Sequence, residues 1–194
     1  LGEGLVILVA LLLNLTLPIL PIQILWINMT TVGALGLVLA VELKEPDIMR
    51  RPPRRTDAPI LTNELLFRIG LVGTLMLLAA LFIFEYELLS GDSVAQARTA
   101  AVNTIVFIEI FYLLNCRSLS QSMFQIGLWS NRWVVVGIGA MIALQLLFTY
   151  APFMNTLFAS APIGLDKWVD ILVLSVATYI IIEIEKWLRR RAMK

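Results

Sequence analysis

Apolar residues run along this chain in six stretches. Each is close to the roughly 20 residues that a helix needs to cross the hydrocarbon core of a bilayer. The pattern predicts spans over about 4–20, 22–41, 66–84, 99–116, 133–150 and 168–187. Pro18 and Pro21 mark a very short gap between the first two, which predicts a tight hairpin. The runs are continuous rather than alternating, so helices are expected and not the strands of a barrel. The fold class is therefore all-α, a polytopic membrane bundle of six helices forming one transmembrane domain over residues 1–194.

Charge between the spans sets an orientation. Lys44, Arg50, Arg51, Arg54, Arg55, Arg68, Arg117 and Arg132 flank one side, with Lys186, Arg189, Arg190, Arg191 and Lys194 after the last span. Of the 15 basic residues only Arg98 and Lys167 fall on the other side. Basic loops stay in the cytoplasm, so both ends of the chain are expected there. Trp133, Tyr150, Trp168 and Trp187 lie near span ends, where interfacial aromatics belong. The connections, 42–65, 85–98, 117–132 and 151–167, are too short for a folded soluble domain.

Composition agrees and narrows the chemistry. The chain is 59% hydrophobic with a mean hydropathy of +0.87, above the roughly 45–50% apolar content of soluble domains. A net charge of +1 implies no nucleic-acid partner. One cysteine, Cys116, allows no internal disulfide, and the absence of histidine removes the commonest general base and metal ligand. The run that opens at Leu1-Gly-Glu3-Gly has no charged leader or small-residue cleavage site, so it is expected to begin inside a larger protein. No Gly-rich phosphate loop or nucleotide motif is present.

Against this background Glu109 stands out. It is the only charged position between Arg98 and Arg117. An ionisable group at that depth costs at least ~2.5 kcal/mol, and is usually kept for an ion, a proton path, water or a partner charge. Tyr112 and Asn115 follow it at spacing three, a polar stripe on one helix. Asn28 and Thr31 share a face of the second span, beside Thr30, with Gly33 and Gly36 weakening the helix below them. Glu3 lies just inside the first span. Together these carboxylates, amides and hydroxyls suit a hard cation or a proton and not a soft metal. The alternative for the same residues is interhelical hydrogen bonding around a protonated carboxyl. Glu85 and Glu87 are expected at the outer surface, Glu183, Glu185 and Lys186 at the inner end, and Cys116 as a small interfacial residue.

Two segments match a family pattern. Leu17-Pro-Ile-Leu-Pro-Ile-Gln-Ile-Leu-Trp-Ile-Asn28-Met-Thr-Thr31, followed by Pro46-Asp-Ile-Met-Arg-Arg-Pro-Pro-Arg54, resembles the C-terminal membrane domain of P-type cation-transporting ATPases, in the branch of the sarcoplasmic-reticulum-type calcium pumps. The likeness continues through Ile108-Glu109-Ile, Asn115-x-x-Ser118-Leu-Ser120 and Leu165-Asp-Lys-Trp168. It implies that the six spans are the family's fifth to tenth helices. It also implies that Glu3, Asn28, Thr31 and Glu109 are ligands of the transported cation, calcium being one possibility, with further ligands on a family helix outside this segment. The implied partners are the lipid bilayer, the remaining transmembrane helices and the cytoplasmic domains of the pump, in the plasma membrane of a prokaryote. ATP and magnesium would act only through those domains, since the segment has no Asp-Lys-Thr-Gly-Thr motif.

One departure is informative. The family's sixth-helix motif is Asn-x-x-Thr-Asp-Gly, whereas this chain reads Asn28-Met-Thr-Thr31-Val32-Gly33. Valine neither coordinates nor carries charge. One divalent ion per cycle, or a monovalent cation or proton, is therefore expected instead of two calcium ions. Outside the resemblance, an ATP-independent cation transporter or channel, or a structural membrane module, remains the alternative.

Overall fold

A computed structural model describes residues 1–42, 61–117 and 131–192. The helices are α1 (Gly2–Leu12), α2 (Pro21–Thr31), α3 (Leu37–Ala40), α4 (Asn63–Leu89), α5 (Val94–Cys116), α6 (Arg132–Tyr150), α7 (Pro152–Phe158) and α8 (Leu165–Ala192). A π-helical turn, Val32–Gly36, joins α2 to α3. The loop basics Lys44, Arg50, Arg51, Arg54 and Arg55, the Pro46–Arg54 motif, Ser118, Ser120 and Lys194 lie outside the described residues.

The helix starts follow local chemistry. Pro21 opens α2, where its missing N–H removes nothing, and the Leu20 amide donates to Gln23 Oε1 at 3.0 Å. Thr62 caps α4 by accepting from the Leu65 amide. Ser93 and Gln96 form a reciprocal capping box on α5, and Asn131 caps α6.

Among the described residues, four helical segments are long and apolar enough to cross a membrane: 21–40, 65–89, 94–116 and 132–150. The chain is thus an all-α membrane domain, with two departures from the expected spans. The first expected span, 4–20, is helical only to Leu12. Asn14 takes a left-handed φ of 52° and the Leu15 amide turns back to the Ala10 carbonyl, closing the helix well before Pro18. The last helix reaches 28 residues, beyond the expected 168–187, but charges at both ends keep it out of the apolar set. The short helix α7 lies in an expected connection. It begins at Pro152 and is stopped by Ala159 at a φ of 51°.

The centre of the bundle is α5, packed chiefly against α4 and α8. Ala97, Ala100 and Ala101 let neighbouring backbones approach, as small residues do between membrane helices. Gly137 performs the same service on α6, where a Cβ would collide with Val38 and the Ala34 carbonyl.

Polar ties fix the ends. At the end of the bundle that carries Lys167, Gln23 Nε2 donates to the Phe158 carbonyl (3.0 Å), Arg98 Nε to the Leu17 carbonyl (3.0 Å) and Asn103 Nδ2 to Thr149 Oγ1 (3.0 Å). Such bonds average about 0.6 kcal/mol in a bilayer, so they specify neighbours more than they add stability. Glu87, two residues from the end of α4, is only 1% exposed, because Lys167 at the start of α8 forms ion pairs with it and with Asp92. Glu85 is exposed, as expected. At the inner end Arg117 meets Glu42 at 2.8 Å and Asn131 donates to the same carboxylate at 3.0 Å. Burial would raise the Glu42 pKa, but these two donors and the Arg117 charge outweigh it and hold the group below the ordinary carboxylate range.

Candidate cation site

Glu3 sits in the first turn of α1 and Asn28 in the last turn of α2. The Asn28 amide donates to Glu3 Oε2 at 2.8 Å and to the Ile24 carbonyl at 3.0 Å. This leaves the Asn28 carbonyl oxygen facing outward on an exposed position of α2. Thr31 lies three residues on, half-buried, and its hydroxyl donates to the Ile27 carbonyl at 2.8 Å. With its proton committed there, its lone pairs are acceptors.

Glu109 lies on α5, which is buried along most of its length. Its Oε2 is buried without a hydrogen-bond partner among the described residues. The Glu3 carboxylate is near enough to act on it by charge. Two carboxylates repelling each other in a medium of low polarity favour a cation or a proton held between them. Of the four residues, the structure joins Glu3 and Asn28 by a direct hydrogen bond; Glu109 interacts with Glu3 by charge, and Thr31, one turn from Asn28, bonds within its own helix.

The donors present are carboxylate, amide and hydroxyl oxygens, which fit a hard cation. Among the described residues no three Asp, Glu, Cys or His side chains gather as a metal-holding group. Val32 is 66% exposed and follows Asn28 by one helical turn. A carboxylate at that position would open on the side of α2 that carries Asn28.

The Glu109–Tyr112–Asn115 stripe divides. Asn115 is fully buried and belongs to a different group: it accepts from Arg68 Nη2 (2.5 Å), donates to Glu183 Oε2 (2.8 Å), and offers its carbonyl to Lys186 Nζ (3.1 Å). This inner-end hub joins α4, α5 and α8. The spacing of three signalled a polar face; the choice of partners depended on Arg68 and Glu183, which are distant in sequence. The expected i, i+4 pair of Glu185 and Arg189 is present at 3.4 Å.

Residues 16–188 match the family described as "Cation transporting ATPase, C-terminus". The chain is 48% identical over 190 residues to the "Probable cation-transporting ATPase F" of Mycobacterium tuberculosis, covering 98% of this chain and 21% of that protein. It is 36% identical over 173 residues to "Cation-transporting ATPase pma1" of Synechocystis, covering 86% and 19%. To "Calcium-transporting ATPase 1" of Schizosaccharomyces pombe it is 34% identical over 177 residues, covering 90% and 19%. The chain thus spans about one fifth of the length of these relatives. An all-α bundle with membrane-length helices, matched to this family over residues 16–188, belongs to the C-terminal membrane domains of the P-type cation-transporting ATPases.

Proposed function

We propose that this chain is the transport half of an ATP-driven cation pump, in which Glu3, Asn28, Thr31 and Glu109 jointly hold one transported cation. The observation that carries this reading is Glu109 Oε2, buried and partnerless beside the charge of Glu3. A carboxylate oxygen in that state is well matched by a cation that arrives, is bound and leaves. The remaining coordination comes from helices outside this segment.

Six crossings follow if α1 with its short connection and α8 accompany the four long apolar segments. The packing of α1 on α4 and of α8 on α5 supports that count. Both ends are then cytoplasmic, and the mycobacterial relative favours the plasma membrane of a prokaryote. The residues here bind and orient the ion; the ATP-driven force comes from cytoplasmic domains carried elsewhere in the protein. With Val32 in place of a carboxylate, the site neutralises less charge and takes one divalent ion, a monovalent ion or a proton.

The test is ATPase activity of the intact protein across calcium, magnesium, manganese, sodium and potassium. The expected result is non-cooperative activation by one of these ions, weakened by Glu109→Gln and by Glu3→Gln. Binding that is unchanged by both substitutions would overturn the site. Gradient-driven flux without ion-stimulated ATP hydrolysis would replace the pump by a secondary transporter.

A further inference from the structure

Between α4 and α8 a groove of about 740 Å³ opens on the outside of the bundle. Its walls are Phe67 and Leu71 from α4 and Ile181, Ile184 and Leu188 from α8. Four of these are strongly exposed, at 61% for Phe67 and 44%, 51% and 56% for the three α8 residues. The groove is not uniformly apolar. At the inner end Asn63, Glu185 and Arg189 line its mouth. A long apolar trough with a polar, charged mouth has the profile of an amphiphile.

The sign of the charge at the mouth selects the amphiphile. Arg68, Lys186, Arg189 and Arg191 stand at this end against Glu183 and Glu185. Arg191 lies over the Trp187 ring at 3.9 Å, which holds its guanidinium beside an interfacial aromatic. Glu185 pairs with Arg189 and with Arg68, and Glu183 accepts a hydrogen bond from the Asn115 amide. Counted together, the described residues at this end carry two more positive charges than negative ones.

We propose that this groove is a binding site for an anionic phospholipid. One acyl chain lies along Phe67, Leu71, Ile181, Ile184 and Leu188, and the phosphate sits by Arg189 and Arg191. The inference rests on α8 crossing the membrane; it needs neither the cation site nor ATP.

The experiment titrates the delipidated intact protein with phosphatidylglycerol and with phosphatidylcholine, and counts retained lipid by native mass spectrometry. Phosphatidylglycerol is expected to be retained preferentially. A basic residue near the surface is worth about fivefold in anionic-lipid preference, so Arg191→Gln reduces the preference by about that factor and adding Arg189→Gln reduces it again. Ile184→Trp fills the trough with both arginines in place, and abolishes retention while the protein keeps its melting temperature. Arg191→Gln, on an exposed side chain, gives a reading even if the double variant fails to fold. Equal retention of the two lipids, a preference indifferent to the arginines, or retention indifferent to Ile184→Trp would overturn the proposal. So would a co-purifying polypeptide that cross-links at position 184. Failure of the six-crossing reading shows separately, as labelling of the two chain ends from opposite sides of the membrane.

Discussion

Asn28 and Glu3 are joined by a 2.8 Å hydrogen bond that runs from the end of one helix to the start of another. The bond aims a carboxylate while using only the amide nitrogen of Asn28, so the amide oxygen stays available. Asn28 thus serves as an orienting partner and as a prospective ligand. Losing an orienting partner typically weakens metal binding by about 10–100-fold. Asn28→Ala is expected to reduce ion affinity at least that far, measured as the ion concentration for half-maximal ATPase activity in the intact protein. A shift below threefold would detach Asn28 from the site.

Val32→Asp tests the missing charge directly. The position is exposed and one turn from Asn28, so an added carboxylate meets little steric resistance. The variant is expected to tighten divalent binding and to introduce cooperativity where the parent has none, read from isotope-counted ions per phosphorylated pump. If the parent already binds two calcium ions cooperatively, the reading of Val32 fails.

Arg68 is 3% exposed and bonded to Asn115, with Glu185 at 3.9 Å. Arg68→Met removes the cation from a buried group whose carboxylates remain. Breaking such a group costs about 3–5 kcal/mol. The fall in unfolding free energy, measured by detergent denaturation, is expected in that range. A loss below about 1 kcal/mol would mean that the hub is hydrated and marginal.

The outer clamp carries a pH signature. Hydrogen bonds with Lys167, then with Glu87, hold Asp92 below its ordinary pKa of 3.8, while hydrogen bonds to Asp92 and Glu87 raise Lys167 above its ordinary 10.5. The Asp92 contribution is complete above 3.8 and is lost as pH falls through its lowered folded value. The Lys167 contribution is complete below 10.5 and is lost as pH rises through its raised one. Asp166, 3.6 Å from Lys167, is the further charge at this cluster. The melting-temperature advantage of the parent over Asp92→Asn is therefore expected to be flat near neutrality and to vanish in acid below the folded pKa of Asp92. An advantage that grows on acidification would contradict the pairing.

Sequence made the apolar runs legible because membrane length is a one-dimensional property. It did not reveal where the first helix stops. The left-handed turn at Asn14 depends on a backbone bond to Ala10, not on hydropathy. The helix that Pro152 opens is only seven residues long, too short to show in a hydropathy run. Glu87 looked like a surface residue because its partner, Lys167, is 80 positions away. The candidate site residues were named by type, spacing and family resemblance; the pairing of Glu3 with Asn28 and the departure of Asn115 to another hub required three dimensions.

The π-helical turn at Val32–Gly36 divides the second membrane segment into two parts with separate duties. A π turn takes up one residue more than an α turn, which puts the stretches on either side out of phase by about 100°. Below it, Val38 is seated against Gly137 of α6 and acts as a fixed bearing. Above it, the shaft that carries Asn28 and Thr31 is free of that bearing. Passing the surplus residue along the helix would swing those two oxygens about the axis while the bearing stays still, a slipping gear in which one end of the segment turns and the other does not.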